Sequence, residues 1–287
     1  MKKLIWIILL SIASFSAIAE DAKDIMRKVI DRDDGYSQYA TQTVASCKYV
    51  IKNNKLVCAE KPRVKIVEAI QKDMGQDNKD SQSVMIIQKP SAERGIGFLQ
   101  YDYDHEGKDT DQWMYLSALG KVKRIVAGND NEPKTGTLFG SEFGYEDTER
   151  RHLNDFSYRI VGEENYQGRD CWIVESLPTS RYARKSNYSK TEQWVDKERF
   201  LVLKALNYDR RGRLIKQLNV SEVVQQDGIW IAKKLNMNNV QSKRITTMRL
   251  NQVSLNVDVD EEMLTQRTLA DASFRERKLN QIRAFEN

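Results

Sequence analysis

The chain has little of what most enzymes use. Its 287 residues include only two histidines, His105 and His152, and neither stands at a zinc-binding spacing from cysteine or glutamate. No G-x-S-x-G elbow, phosphate-cradling glycine loop or dinucleotide fingerprint occurs, and Ser141 sits in Gly140-Ser141-Glu142, which is not an elbow. Neighbouring acids such as Asp102 and Asp104, or Glu163 and Glu164, have the chemistry of an acid/base pair. With 41 acidic residues such neighbours are unavoidable and carry little weight. Asp102-Tyr103-Asp104-His105-Glu106-Gly107 imitates half a calcium loop, yet its twelfth position is Trp113, where a bidentate Glu belongs. The expectation is a protein with no catalytic residue, no metal and no cofactor.

Charge of one sign is scarce too. Lys and Arg number 46 against 41 acidic residues, a formal +5 to which Lys2 and Lys3 contribute. Such a balance is no surface for a polyanion, so nucleic acid is not an expected partner. Beyond the first residues there is also no apolar run long enough to span a bilayer.

Those first residues are different. Lys2 and Lys3 precede an unbroken apolar run from Leu4 to Leu10, and Ala17-Ile18-Ala19 has the A-x-A form of a cleavage site. Residues 1–19 therefore read as a secretory signal peptide, and the expected address is the periplasm. No cysteine follows the site, so no lipid anchor is expected on the chain itself. In an oxidising compartment three cysteines imply one disulfide and one leftover thiol. Cys47 and Cys58 flank Lys52-Asn53-Asn54-Lys55 in a hairpin pattern. A turn centred near Lys52 and Asn53 would set them opposite each other, whereas a strict Asn53-Asn54 turn would set Cys47 opposite Glu60. The Cys47–Cys58 bridge is the favoured pairing, and closing so short a loop stabilises by roughly 3 kcal/mol. Cys171 is then a lone, buried, small hydrophobe.

Periodicity sets the fold class. Ile25, Met26, Val29 and Ile30 share one helical face, with Gly35 as a stop. After that the period is two for most of the chain, from Arg63–Ile70, Ser83–Gln88, Gly97–Tyr103, Trp113–Leu116 and Val122–Val126 onward. Phe156–Val161, Cys171–Leu177, Thr191–Val195, Val202–Tyr208 and Leu214–Val220 follow, then Ile229–Ile231, Leu235 and Met237. Met248 and Leu250 give way to Val253 and Leu255, a change of parity that predicts a β-bulge near Asn251. Lys121, Lys123 and Arg124 are either the wet face of their strand or a collar for anionic partners. Between Val126 and Arg150 lies a long irregular loop with Phe139, Phe143 and Tyr145, the kind of segment that often serves as a lid. Asp258-Val259-Asp260-Glu261 reads as a helix N-cap. The charged tail at 270–287, with Phe274, Leu279, Ile282 and Phe285, reads as a loosely docked helix or as disorder. The fold class is α+β: a curved antiparallel β-sheet, a half-open barrel, with helices covering its concave face.

Two longer runs carry a resemblance. Asp111-Gln112-Trp113-Met114-Tyr115-Leu116 through Gly120-Lys121-Val122-Lys123-Arg124-Ile125 resembles a run typical of LolA-like outer-membrane lipoprotein-sorting proteins. Phe139-Gly140-Ser141-Glu142-Phe143-Gly144-Tyr145-Glu146-Asp147 resembles that family's G-S-E-F-x-Y-E-D segment. Ser117 departs from it by standing where Pro is usual. The resemblance implies a LolA-like domain over 20–269 with an apolar cavity for lipid or lipoprotein acyl chains. It further implies transient membrane contact and a link to membrane exporters of the resistance-nodulation-division (RND) type. The cavity or lid candidates are Met85, Ile87, Phe98, Leu99, Trp113, Tyr115, Phe139, Phe143 and Tyr145. Strand parity says which of them share a face, not which face is concave. Two other roles fit the same fold: a lipid-sensing regulator, and a scaffold subunit with a packed interior.

Overall fold

The structure, a computed structural model, describes residues 21–75, 77–129 and 132–285; the expected signal peptide lies outside them. Helix α1 (Ala22–Ile30) starts at Asp21, whose carboxylate accepts the Lys23 backbone N–H, and it buries Ala22, Ile25 and Met26. Then come β1 (Ser37–Lys52), β2 (Lys55–Cys58), β3 (Arg63–Met74), β4 (Asp80–Lys89), β5 (Gly97–Asp102), β6 (Asp111–Leu116) and β7 (Lys121–Ile125). After the irregular segment follow β8 (Phe156–Tyr166), β9 (Arg169–Pro178), β10 (Tyr188–Asp196), β11 (Val202–Asp209), β12 (Leu214–Gln226), β13 (Ile229–Asn239) and β14 (Arg244–Leu255). Helices α2 (Gln266–Ala270) and α3 (Ala272–Phe285) end the chain. All 14 strands form one antiparallel sheet with β7 and β8 as its edges, β2 pairing only with β1. The sheet is not closed, so the half-open barrel is what forms.

Two local expectations meet their registers here. Thr41 pairs with Gln252 and Gln42 with Leu250, which leaves Asn251 as the extra residue of a bulge. In the β1–β2 hairpin Lys52 pairs with Lys55, so the turn is Asn53-Asn54, both at positive φ (50° and 58°). That is the register expected to part the cysteines, and the expectation needs correction. Tyr49 pairs with Cys58, so Cys47, two residues earlier, lies on the same face as Cys58 and diagonal to it. The twisted ribbon closes this diagonal to a Cα–Cα distance of 5.7 Å and the disulfide forms. Cys171 is free and buried, and burial pushes its thiol up to about 11.

The C-terminal tail is an ordered helix. Phe274 and Leu279 are 2% and 1% exposed. Buried Arg275 donates to the Thr268 and Leu269 carbonyls, which satisfies orphan acceptors at the end of α2. The cap ahead of these helices is Asp260 rather than Asp258: its carboxylate accepts the Glu262 N–H at the head of a short turn, Glu261–Leu264.

Candidate functional site

The long segment between β7 and β8 shows which face of the sheet is inner. Gln112 of β6 donates to the Tyr145 carbonyl at 3.2 Å, while Lys216 of β12 pairs with Asp147 at 2.6 Å. Seven strand spacings separate β6 from β12 in the sheet order, which in a flat sheet is roughly 34 Å. Two residues of one loop reach both, so the sheet curls around this loop. The face it touches is the concave one.

Register then sorts the nine candidates. Met85 pairs with Phe98, and Ile87 has the parity of Met85, so these three point inward. They join Leu138, Phe139 and Phe143 in one buried cluster, with Tyr145 packed against it and stacked on Phe98. Leu99, Trp113 and Tyr115 have the other parity. They lie on the outer face in a cluster with Met263, Leu264, Leu269, Leu279 and Ile282, beneath α2 and α3. Helix α1 covers the inner face at the far half of the sheet, against Val174 and Val195. The helices are therefore divided between the two faces.

The loop is a roof tied at several points. Leu138 N–H donates to the Phe143 carbonyl, and Glu142 N–H donates to the Thr246 hydroxyl of β14. The Glu142 carboxylate pairs with Arg244 at 2.8 Å. Asp147 accepts from the Gly144 N–H, the Tyr188 hydroxyl and Lys216. At the loop's ends Lys134 pairs with Glu149 at 2.7 Å, and burial holds Glu149 up at about 7 in spite of that lysine. Burial also raises the Glu146 carboxyl, which accepts from the Asn187 backbone and side chain. Phe139 sits at φ 52°, ψ 28°, left-handed backbone that an aromatic residue adopts only under constraint.

Beside this roof the inner face is open. A cleft of about 1010 Å³ runs between the Ile30–Tyr36 segment, strands β1, β3, β4 and β5, and residues 148–150. Its floor is graded by cross-strand register. Gln38, Gln71, Ser83 and Gln100 stand in one row across four strands. Asp73 and Ser81 lie one step outward, and Ala40, Ala69, Met85 and Phe98 one step inward. Beyond those come Val67 and Ile87, already under the loop. The face thus passes from carboxylate, through amide and hydroxyl, to small apolar and then aromatic. At the polar end burial and the Asp34 carboxylate beside it push Asp73 up to about 6. Asp102 is bonded inward, to Gln100, Thr110 and the Arg150 N–H, so the half calcium loop is a hydrogen-bonded turn. Among the described residues no group of three metal-ligating side chains converges.

A second hollow of about 700 Å³ on the flank holds many charges, but they pair among themselves, as in Arg181–Asp155 and Lys185–Asp109. Lys121, Lys123 and Arg124 are exposed on edge strand β7. The graded floor is what sequence reasoning missed. Its glutamines alternate with apolar residues at the correct parity, but only the register brings positions 38, 71, 83 and 100 into one row.

Comparison with known proteins agrees with this geometry. A family model described as "uncharacterized protein" matches residues 79–271. A putative outer membrane lipoprotein-sorting protein domain from Vibrio parahaemolyticus superposes with a TM-score of 0.74 at 25% identity, over 87% of this chain and 98% of that one. A DUF1329 family protein from Desulfovibrio piger gives 0.75 at 24% identity, over 86% and 97%. A LolA superfamily protein from Nitrosomonas europaea gives 0.60 at 18% identity, over 86% and 98%. No curated protein matches the chain.

Proposed function

We propose that the chain, which belongs to the family whose model matches residues 79–271 and is similar in fold to a putative outer membrane lipoprotein-sorting protein domain, is a periplasmic carrier of the LolA-like kind and not an enzyme. It binds a lipid or lipidated cargo on its inner face and passes it between membranes or to an RND-type exporter. The observation that carries the reading is the graded inner face with its aromatic roof. Acyl chains enter from the cleft over Ala40 and Ala69, displace Phe139, Phe143 and Tyr145, and lie on Met85, Ile87 and Phe98. Each buried CH₂ contributes about 0.8 kcal/mol, so two chains offset the loss of the loop's own contacts without any polar chemistry. The ties at Glu142 and Asp147 close the roof when cargo leaves. Among the described residues no helix is long and apolar enough to cross a membrane.

The test is native mass spectrometry, with organic extraction, of the mature protein from a periplasmic fraction. A co-purifying acylated species of defined mass is the expected result. A clean apo mass, with no thermal shift on adding phospholipid or lipopeptide, would overturn the carrier and leave the packed scaffold.

A further inference from the structure

We infer that the β1–β2 hairpin is a docking element for the surface of an anionic bilayer. Among the described residues eleven large apolar side chains are exposed, and four of them stand on this one ribbon. Val50 and Val57, paired on one face, are 40% and 41% exposed, and Ile51 and Leu56, paired on the other, 68% and 43%. Exposed apolar residues scattered singly need no explanation, whereas a cluster on a protruding tip marks a contact surface. A strand of the molecule's own core hides one face, and this ribbon hides neither at its tip.

The tip also stands clear of the sheet. Beyond Tyr49, whose N–H donates to the Lys243 carbonyl, β1 has only β2 beside it, as far as the Lys52–Lys55 pair. At about 3.4 Å per residue that is a projection of roughly 10 Å. The Cys47–Cys58 bridge staples its base and the Asn53-Asn54 turn closes its end, so the ribbon keeps its shape outside the sheet.

Charge decides what the tip meets. Lys48, Lys52, Lys55, Lys61 and Arg63 surround the apolar residues, with Glu60 as the single acid between positions 48 and 63. None of these cations enters an ion pair among the described residues. Lys52 stands directly opposite Lys55, a juxtaposition of like charges that costs stability in the hairpin by itself. An apolar tip inside an unneutralised basic collar matches a surface that is hydrocarbon below and anionic above. A second copy of this chain would set the collar against itself, since a two-fold contact uses the same patch on both sides. A groove on another protein takes up one face of a ribbon and leaves the other in water, whereas a bilayer surrounds both. Depth is limited by the backbone. The hairpin's outer edges carry unpaired N–H and C=O groups that hydrocarbon does not satisfy, so the tip rests among head groups and upper acyl segments. None of the ribbon's residues lines the cleft, which makes docking separable from cargo binding.

The test is co-sedimentation of the mature, disulfide-bonded protein with vesicles of one-third phosphatidylglycerol in phosphatidylcholine. The wild type is expected to pellet with them at low salt, to be released at high salt, and to ignore vesicles of phosphatidylcholine alone. Ile51→Asp/Leu56→Asp, which removes the apolar tip, should stay in solution with an unchanged melting curve. Lys52→Gln/Lys55→Gln keeps the tip and should lower partitioning roughly twentyfold, at about fivefold for each charge. With the like charges gone it should melt no lower than the wild type. A wild type that ignores the anionic vesicles, a tip variant that binds them equally, or binding that neutral vesicles match overturns the proposal. So does a wild-type dimer in sedimentation velocity that the tip variant takes apart, which would assign the tip to a second copy. The cargo test reads a different face, so each of these outcomes leaves the carrier reading standing.

Discussion

Strands β3 to β6 are covered on both faces, and the two covers are built differently. On the outer face α2 and α3 close over Ile70, Val84, Ile86 and Leu99 with Leu264, Leu269, Leu279 and Ile282. Helices satisfy their own backbone, so this cover needs only apolar packing and a seal. Arg283 supplies the seal by reaching the buried Glu68, which also accepts from the Tyr39 hydroxyl. On the inner face the cover is an irregular loop, held by side-chain ties to β12 and β14, strained at Phe139 and flanked by an open cleft. A cover that satisfies itself stays. One that borrows its hydrogen bonds from distant strands can exchange them for a ligand.

The largest effect that sharpens this contrast is on the permanent side. Leu264 is fully buried in the outer cluster, so Leu264→Ala should cost about 2–5 kcal/mol, the transfer loss plus the cavity left behind. Lipid affinity should hardly change. Urea denaturation checks the first and lipid titration the second. A variant that keeps its stability, or loses ligand in proportion, would show that the two faces are not independent.

How much of this was legible in the residues follows from range. Alternation marks nearly every strand, because facing in or out is decided by each residue's own neighbours. The bulge at Asn251 is legible for the same reason, since a parity slip is local. Which face is concave is not, because Leu99 and Phe98 are equally apolar and only the curl of distant strands about one loop separates them. The hairpin turn was misplaced by one residue while the disulfide was right, since a diagonal pair on a twisted ribbon serves as well as a direct one. The C-terminal helix was half-hidden because Phe274, Leu279 and Ile282 are diluted by charges, several of which, such as Arg275 and Arg283, turn out to be structural. The polar row of the cleft could not be read at all, its members being strangers in sequence.

A smaller effect is expected from loosening the inner cover. Replacing both partners of the Glu142–Arg244 tie, as Glu142→Gln/Arg244→Gln, leaves no unpaired charge and should cost about 1 kcal/mol or less. The loop should then open more often, and a fluorescent fatty-acid probe should bind more rapidly in stopped flow, by a few-fold, with the melting curve little changed. Unchanged association kinetics would mean that cargo does not enter under this loop.

The smallest effect is one of pH, and it separates the cleft from both covers. Asp73 has its carboxyl raised from an ordinary 3.8 to about 6, by burial first and by the charges of Asp34 and Asp33 next, with Arg150 opposing. Between those values the folded chain holds a proton that the unfolded chain has lost, so ionising Asp73 disfavours the fold. Its contribution to stability therefore falls as pH rises through 4 to 6 and stays low above. Asp73→Asn cannot ionise and escapes that loss. Its melting temperature should match the wild type near pH 4 and exceed it slightly at pH 8, with the difference growing across the window between. Glu146 and Glu149, raised in the same direction, remain in both proteins and cancel from the comparison. A variant less stable than the wild type at pH 8 would mean that ionised Asp73 supports the fold, and the polar end of the cleft would then be structure rather than site.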